Sequence, residues 1–141
     1  MKILFPTDGS EESLAALRHL LPRLPWFREV PQIALMNVHP HLPYARAVAW
    51  AGHEAAQRYY DEECAAALAP GSALLDEAGI AFERVQRIGE PAVEIGKFAA
   101  EWNADLIAMG RHGYSAVTSL LMGSVTQKVI ATCSVPVLLL R

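Results

Sequence analysis

Residues 105–113 read DLIAMGRHG, so a short apolar run passes directly into a loop with glycine at each end. We predict a buried strand at Asp105–Met109, because a continuous apolar run bounded by turn residues is typical of a parallel strand. A similar apolar run at Lys2–Thr7 is stopped by the polar residues DGS at 8–10. Both predicted strands therefore lead into polar loops, which are candidate positions for chemistry.

Three further strands are predicted on either side of these two. Continuous apolar runs predict strands at Gln32–Val38 and Val135–Leu140. At Ile80–Ile88 apolar residues alternate with charged ones, which predicts a more exposed strand near a sheet edge.

Helical patterns separate the predicted strands. Leucines recur at helical spacing after the N-cap candidate Ser10, and we expect Pro22 to end that helix. A long alanine-rich helix is predicted from about Trp50, with an interruption at Pro70-Gly71 and a further helical piece as far as Ala78. Two more helices are predicted to begin at Pro91 and near Gly123-Ser124.

Strands that alternate with helices along 141 residues predict one α/β domain over 1–141. Right-handed crossovers would make it a doubly wound, three-layer sandwich with a parallel sheet. In such sheets a ligand binds outside the carboxyl ends of the strands, where the strand order reverses. We therefore look for function in the loops that follow the first, second and fourth strands.

Composition narrows the class of protein. The net charge of −3 argues against a nucleic-acid-binding protein. Apolar residues make up 52% of the chain, which predicts a large buried surface in a two-sided sheet or at a subunit interface. Cys64 and Cys133 lie outside any CxxC pattern, so we expect ordinary thiols in a reducing compartment. No apolar run reaches the roughly 20 residues of a membrane span, and the first residues do not resemble a signal peptide. A cytoplasmic location is therefore predicted.

The strongest motif is the pattern G-x2-G-x9-G-[ST], formed by Gly110, Gly113, Gly123 and Ser124. About one random chain of this length in 200 would contain it, and its position between a strand and a helix makes it more specific. Glycines let backbone amides approach a ligand, and a helix N-terminus attracts anions. We predict a phosphate site in which the amides of 123–126 are donors. The simpler alternative is a tight turn followed by a helix cap.

Two neighbouring segments would complete such a site. Asp8 is a candidate to accept a ribose hydroxyl or to hold Mg²⁺, and helix capping is its structural alternative. Val38, at the end of the second strand, is a candidate to offer backbone groups to adenine, and otherwise it is a core residue. Arg111 and His112 lie in the glycine loop, where they would offset phosphate charge.

At these residues the chain resembles the universal stress protein family, and the glycine pattern resembles that of its ATP-binding branch. The resemblance covers nearly the whole sequence and rests on ILFPTDGS at 3–10, NV at 37–38, GEP at 89–91, DLIAMG at 105–110, GSVT at 123–126 and CSVPVLL at 133–139.

The resemblance implies a five-stranded parallel sheet of order 3-2-1-4-5. It implies that ATP, with Mg²⁺ as a possible companion, is held by Pro6, Thr7, Asp8, Val38, Met109, Gly110, Arg111, Gly113, Gly123, Ser124, Val125 and Thr126. It also implies a homodimer joined through the last strand, Val135–Leu140.

These observations predict an ATP-binding regulatory or stress-response module. No evident general base lies beside the predicted phosphates except His112, so we expect ATP hydrolysis to be slow at most. Two alternatives remain open at this point. One is a slow nucleotide hydrolase or phosphotransferase, and the other is a protein that binds AMP or another nucleotide, or that acts without a nucleotide.

Overall fold

The computed structural model describes residues 1–41, 52–113 and 122–140. Its strands and α-helices alternate along the chain within these ranges. Their bounds are β1 Lys2–Pro6, α1 Glu11–Leu20, β2 Gln32–His39, α2 His53–Glu77, β3 Phe82–Ile88, α3 Pro91–Glu101, β4 Leu106–Gly110, α4 Ser124–Thr132 and β5 Val137–Leu140.

The five strands form one parallel sheet in the order β3-β2-β1-β4-β5. The predicted doubly wound sheet and its strand order are thereby confirmed. The chain runs outward from β1 through β2 to β3, and then crosses back so that β4 lies on the other side of β1. The order therefore reverses between β1 and β4, and the loops that follow these two strands leave the sheet side by side.

Each face of the sheet carries its own apolar layer. Successive side chains of β1 point to opposite faces, so Ile3 and Phe5 pack with α1 and α2, whereas Leu4 packs with α3 and α4. Leu17 of α1 and Ile95 of α3 are buried in the two respective layers. Because both faces are covered, the strands read as continuous apolar runs rather than as alternating ones.

The predicted interruption at Pro70-Gly71 is wrong, because α2 continues through both residues. A proline inside a helix removes one hydrogen bond and crowds the preceding turn. Here packing opposes that cost, since Leu68 is buried against the sheet and Gly71 fits closely over Leu35. A Cβ atom on Gly71 would lie 3.2 Å from Leu35 Cδ2. The predicted helix start at Trp50 lies outside the described residues.

Local signals set several of the element ends. The Ser10 hydroxyl accepts the amide of Ser13 at 3.2 Å, so the predicted cap of α1 is confirmed. α1 ends before Pro22, and the chain continues as a 3₁₀ turn at Leu21–Trp26. β3 begins two residues later than predicted, because the amide of Ile80 donates to Leu75 and closes α2. β3 lies at a sheet edge, as its alternating pattern predicted.

Within 1–41, 52–113 and 122–140, we find no helix with the length and apolar character needed to cross a membrane. Cys64 and Cys133 are both free thiols, and Cys64 is buried. Burial and the nearby Asp61 carboxylate raise the pKa of the Cys64 thiol. This thiol is therefore protonated at neutral pH and behaves as a core residue.

Candidate functional site

A cavity opens at the carboxyl edge of the sheet, where the strand order reverses between β1 and β4. We call it the switch-point cavity. All the predicted site residues except Arg111 line it: Pro6, Thr7, Asp8, Val38, Met109, Gly110, Gly113, Gly123, Ser124, Val125 and Thr126. Segments that are distant in the sequence therefore meet around one space, as the doubly wound fold predicts.

Buried hydrogen bonds hold the tip of β1 at the cavity. The Thr7 amide donates to the Met36 carbonyl at 2.8 Å, and the Asn37 side-chain amide donates to the Thr7 carbonyl at 2.8 Å. The hydroxyls of Thr7 and Ser13 lie 2.8 Å apart. The loop after β1 is thus tied to both β2 and α1, which fixes one wall of the cavity before any ligand arrives.

Asp8 has an exposed side chain at the cavity edge. Its Oδ1 accepts the Ser10 amide at 3.0 Å and the Ser10 hydroxyl at 2.6 Å. Ser10, and not Asp8, accepts from the first turn of α1, so Asp8 supports the cap rather than forming it. The Asp8 carboxylate lies directly against Gly113, because a Cβ atom added there would collide with Oδ2.

The glycine loop and the first turn of α4 are joined by two hydrogen bonds. The Gly123 amide donates to the Arg111 carbonyl at 2.8 Å, and the Thr126 hydroxyl donates to the Gly110 carbonyl at 3.2 Å. The prediction that Gly123 presents a free amide is therefore wrong, because that amide holds the loop in place. The Thr126 hydroxyl proton is likewise already committed to the protein.

The remaining amides at the start of α4 are different. α1 and α3 begin at the same edge of the sheet, and the side chains of Ser10 and Glu90 cap their N-termini. The N-cap of α4 is Gly123, which has no side chain that could accept a hydrogen bond from the first turn of the helix. Within the described ranges, the amides of residues 124–126 have no protein acceptor. Such amides, together with the helix dipole, favour an anion.

The opposite wall of the cavity is apolar. The predicted site residues Val38 and Met109 contribute to it, together with Met36 and Ile95, which the sequence analysis did not name. The sequence held a signal for both missed residues. Met36 lies two positions before Val38 and so shares its face of β2, and Ile95 follows Pro91 by about one helical turn.

Arg111 is not among the described residues that line the cavity, so its predicted role in holding the ligand stays a prediction. Its guanidinium Nη2 lies 3.2 Å from Nε2 of His112. It is His112 that lines the cavity. The neighbours of a loop side chain depend on tertiary contacts, so sequence adjacency did not reveal which of the two residues faces inward.

An ion pair joins the two helices beside the cavity. Glu90, the N-cap of α3, accepts from Lys128 of α4 at 2.9 Å and from the Val93 amide at 2.9 Å. The Lys128 contact and the Val93 amide lower the pKa of the Glu90 carboxyl. This exposed ion pair connects α4 to the N-cap of α3, and Pro91 of α3 and Ser124 of α4 both line the cavity.

Comparison with known proteins gives a consistent result. The model of the Universal stress protein family matches residues 1–141. The universal stress protein MJ0531 of Methanocaldococcus jannaschii is 34% identical, over 99% of this chain and 81% of that protein. The solved structure of protein MJ0577 from the same organism has a TM-score of 0.81 at 29% identity, covering 99% of this chain and 94% of the other.

Some solved structures with this fold hold adenine nucleotides. A universal stress protein family member from Arabidopsis thaliana was solved with AMP bound, and matches with a TM-score of 0.69 at 14% identity, covering 99% of this chain and 90% of the other. The Archaeoglobus fulgidus protein was solved with dAMP, and matches at 0.65 and 19%, covering 100% and 98%. At these identities the likeness concerns the fold.

Proposed function

Because the chain belongs to the universal stress protein family, we propose that the switch-point cavity binds an adenine nucleotide, with ATP as its main ligand. The observation that carries this proposal is the meeting of uncapped α4 amides with an apolar wall in one cavity. The first feature suits phosphate, and the second suits a purine. Nucleotide occupancy would then regulate the protein.

Different parts of the cavity suit different parts of the ligand. We propose that Met36, Val38 and Ile95 pack against the adenosine, with Pro6 and Thr7 at its edge. Asp8 is the candidate acceptor for a ribose hydroxyl. We propose that Met109, Gly110 and Gly113 lie beside the ribose and the phosphates. The backbone amides of Ser124, Val125 and Thr126 are the proposed donors to phosphate oxygens. Gly123, whose own amide donates to the Arg111 carbonyl, holds the glycine loop against α4.

Magnesium fits this proposal as a companion of the phosphates. Within the described residues there is no cluster of three or more metal-binding side chains. Asp8 is the one carboxylate among the described lining residues. Because Mg²⁺ in nucleotide sites is usually held by one or two carboxylates together with phosphate oxygens and water, this arrangement is sufficient.

The solved structures that hold AMP and dAMP support the proposal only as far as the fold goes. The preference for ATP rests on the glycine pattern at 110–124, which resembles that of the ATP-binding branch. AMP and cyclic nucleotides are the alternatives to ATP, because backbone amides bind phosphate oxygens and do not by themselves distinguish one phosphate group from three.

Calorimetric titration with ATP, ADP, AMP, cAMP and adenosine tests the proposed ligand. We expect ATP to bind most tightly, and mass spectrometry of the denatured, freshly purified protein to detect a released adenine nucleotide. We expect turnover of bound ATP to be slow at most, because Asp8 and His112 are the only described lining side chains of acid–base type. Binding of none of the five compounds would contradict the proposal.

We also propose that two copies pair through β5. This strand ends the sheet, so one of its backbone edges has no partner strand within the described chain, and its residues VLLL are apolar. Exposed edges of this kind favour pairing. Analytical ultracentrifugation at micromolar concentration is expected to give the mass of a dimer, and a monomer there would contradict the proposal.

A cytoplasmic location is also proposed, because two free thiols suit a reducing compartment. Cell fractionation tests it.

A further inference from the structure

One side chain at the switch-point cavity lacks a hydrogen-bond partner. Nδ1 of His112 is buried and has none, and it is the only such side-chain atom among the described residues. Native proteins rarely leave a buried polar atom in this state, because its desolvation is not repaid. His112 lies in the cavity wall, so a ligand is a natural source of the missing partner.

The contact with Arg111 defines what kind of partner is missing. A guanidinium has donors and no acceptor, so Nε2 of His112, 3.2 Å from Arg111 Nη2, must accept. The proton of the neutral imidazole is then on Nδ1. The unpaired atom is therefore a donor, and the ligand must supply an acceptor oxygen.

The backbone of His112 lies against the start of α4. An added Cβ on Gly123 would be 3.5 Å from His112 Cα, and one on Gly110 would be 3.2 Å from the His112 carbonyl oxygen. The backbone of His112 thus lies beside the start of α4, and His112 lines the same cavity as residues 124–126, whose amides are uncapped. The part of the cavity at those amides favours anionic oxygens over the uncharged parts of a nucleotide.

We infer that Nδ1–H of His112 donates to a phosphate oxygen of the bound nucleotide, and that His112 thereby distinguishes nucleotides from adenosine. The inference rests on the proposed function and adds a side-chain donor to the backbone donors. Because Nδ1 is buried in this structure, the proposed contact requires the imidazole to turn about its side-chain bonds so that Nδ1–H faces the phosphate. The gain of a charged acceptor favours that turn when a phosphate is present.

Two substitutions separate the donor from the bulk of the ring. In His112→Asn the side-chain amide carries an N–H close to the position of Nδ1, whereas His112→Leu fills similar space and has no donor. ATP, AMP and adenosine are titrated into each variant by calorimetry. We expect His112→Leu to weaken ATP and AMP about tenfold or more and adenosine less than about twofold. We expect His112→Asn to stay within about threefold of the parent for all three ligands.

Other outcomes overturn the inference. If His112→Leu binds ATP as tightly as the parent does, no donor acts there. If it loses adenosine and ATP equally, the ring contacts the nucleoside or merely shapes the cavity. Should the leucine variant fail to fold, as judged by circular dichroism, His112→Phe replaces it, because phenylalanine keeps a ring of similar size and also has no donor. Failure of the parent to bind any nucleotide is a separate result, which contradicts the proposed function itself.

Discussion

Gly113→Val is expected to weaken adenine-nucleotide binding about a hundredfold, or about 2.7 kcal/mol, while the sheet stays folded. The Cβ atom of the new side chain would collide with the Asp8 carboxylate, and its three nearest heavy atoms all belong to the Asp8 side chain. Asp8 must therefore move, and the valine methyls take space that the ligand needs. Because the displaced group is the end of an exposed side chain, the core keeps its packing. Calorimetric titration with ATP measures the effect.

Gly96→Val is the matched control. Gly96 lies in α3, away from the cavity lining, and a Cβ atom there meets nothing within 4 Å. This variant should bind ATP like the parent and unfold at a similar temperature, since valine is no worse than glycine in a helix. If Gly113→Val also binds like the parent, nucleotide does not use the space beside Asp8, and the proposed site is wrong.

Gly110 is a poorer position for the same test. A Cβ atom there would lie 3.4 Å from Ala16 Cβ and 3.5 Å from the Glu12 carbonyl oxygen, both in α1. Larger side chains would press α1 away from β4 and disturb the core as well as the cavity. Loss of binding in such a variant would not separate ligand contact from misfolding, which is why Gly113 is preferred.

The fold was predictable because each strong signal is local. Continuous apolar runs mark the covered strands, and Ser10 marks the start of α1 by its own hydrogen bond to the Ser13 amide. Where long-range packing competes with a local signal, the prediction failed. Pro70 is a helix breaker in isolation, but burial of Leu68 beside it keeps α2 continuous.

For the candidate site, the sequence predicted which loops would meet but not the hydrogen bonds within them. Glycine spacing identified which loops would meet, because the carboxyl ends of neighbouring strands share one edge of the sheet. The sequence did not predict which backbone amides at the start of α4 donate to the protein and which stay available to a ligand. Gly123 donates to the Arg111 carbonyl, and that pairing depends on how the glycine loop folds back onto α4. The choice between Arg111 and His112 likewise depends on tertiary contacts that spacing does not encode.

A second large effect is expected at Gly9, where the loop after β1 touches α2. Gly9 has a φ of 78°, and an added Cβ atom would lie 3.0 Å from both the Cα and the carbonyl oxygen of Ala67. Backbone atoms inside a helix cannot yield as a side chain can. Gly9→Ala therefore combines a left-handed backbone conformation with a collision. We expect it to lower the free energy of unfolding by about 3 kcal/mol.

Gly79→Ala separates the two contributions. Gly79 has a φ of 67°, similar to that of Gly9, but a Cβ atom there meets nothing within 4 Å. This variant should lose only about 1 kcal/mol, from the backbone conformation alone. Urea unfolding of the parent and both variants gives the free energy of unfolding of each protein. The additional loss in Gly9→Ala relative to Gly79→Ala is the cost of pushing the loop after β1 away from α2. If the two variants lose equal stability, the close contact between Gly9 and Ala67 does not hold the first wall of the cavity in place.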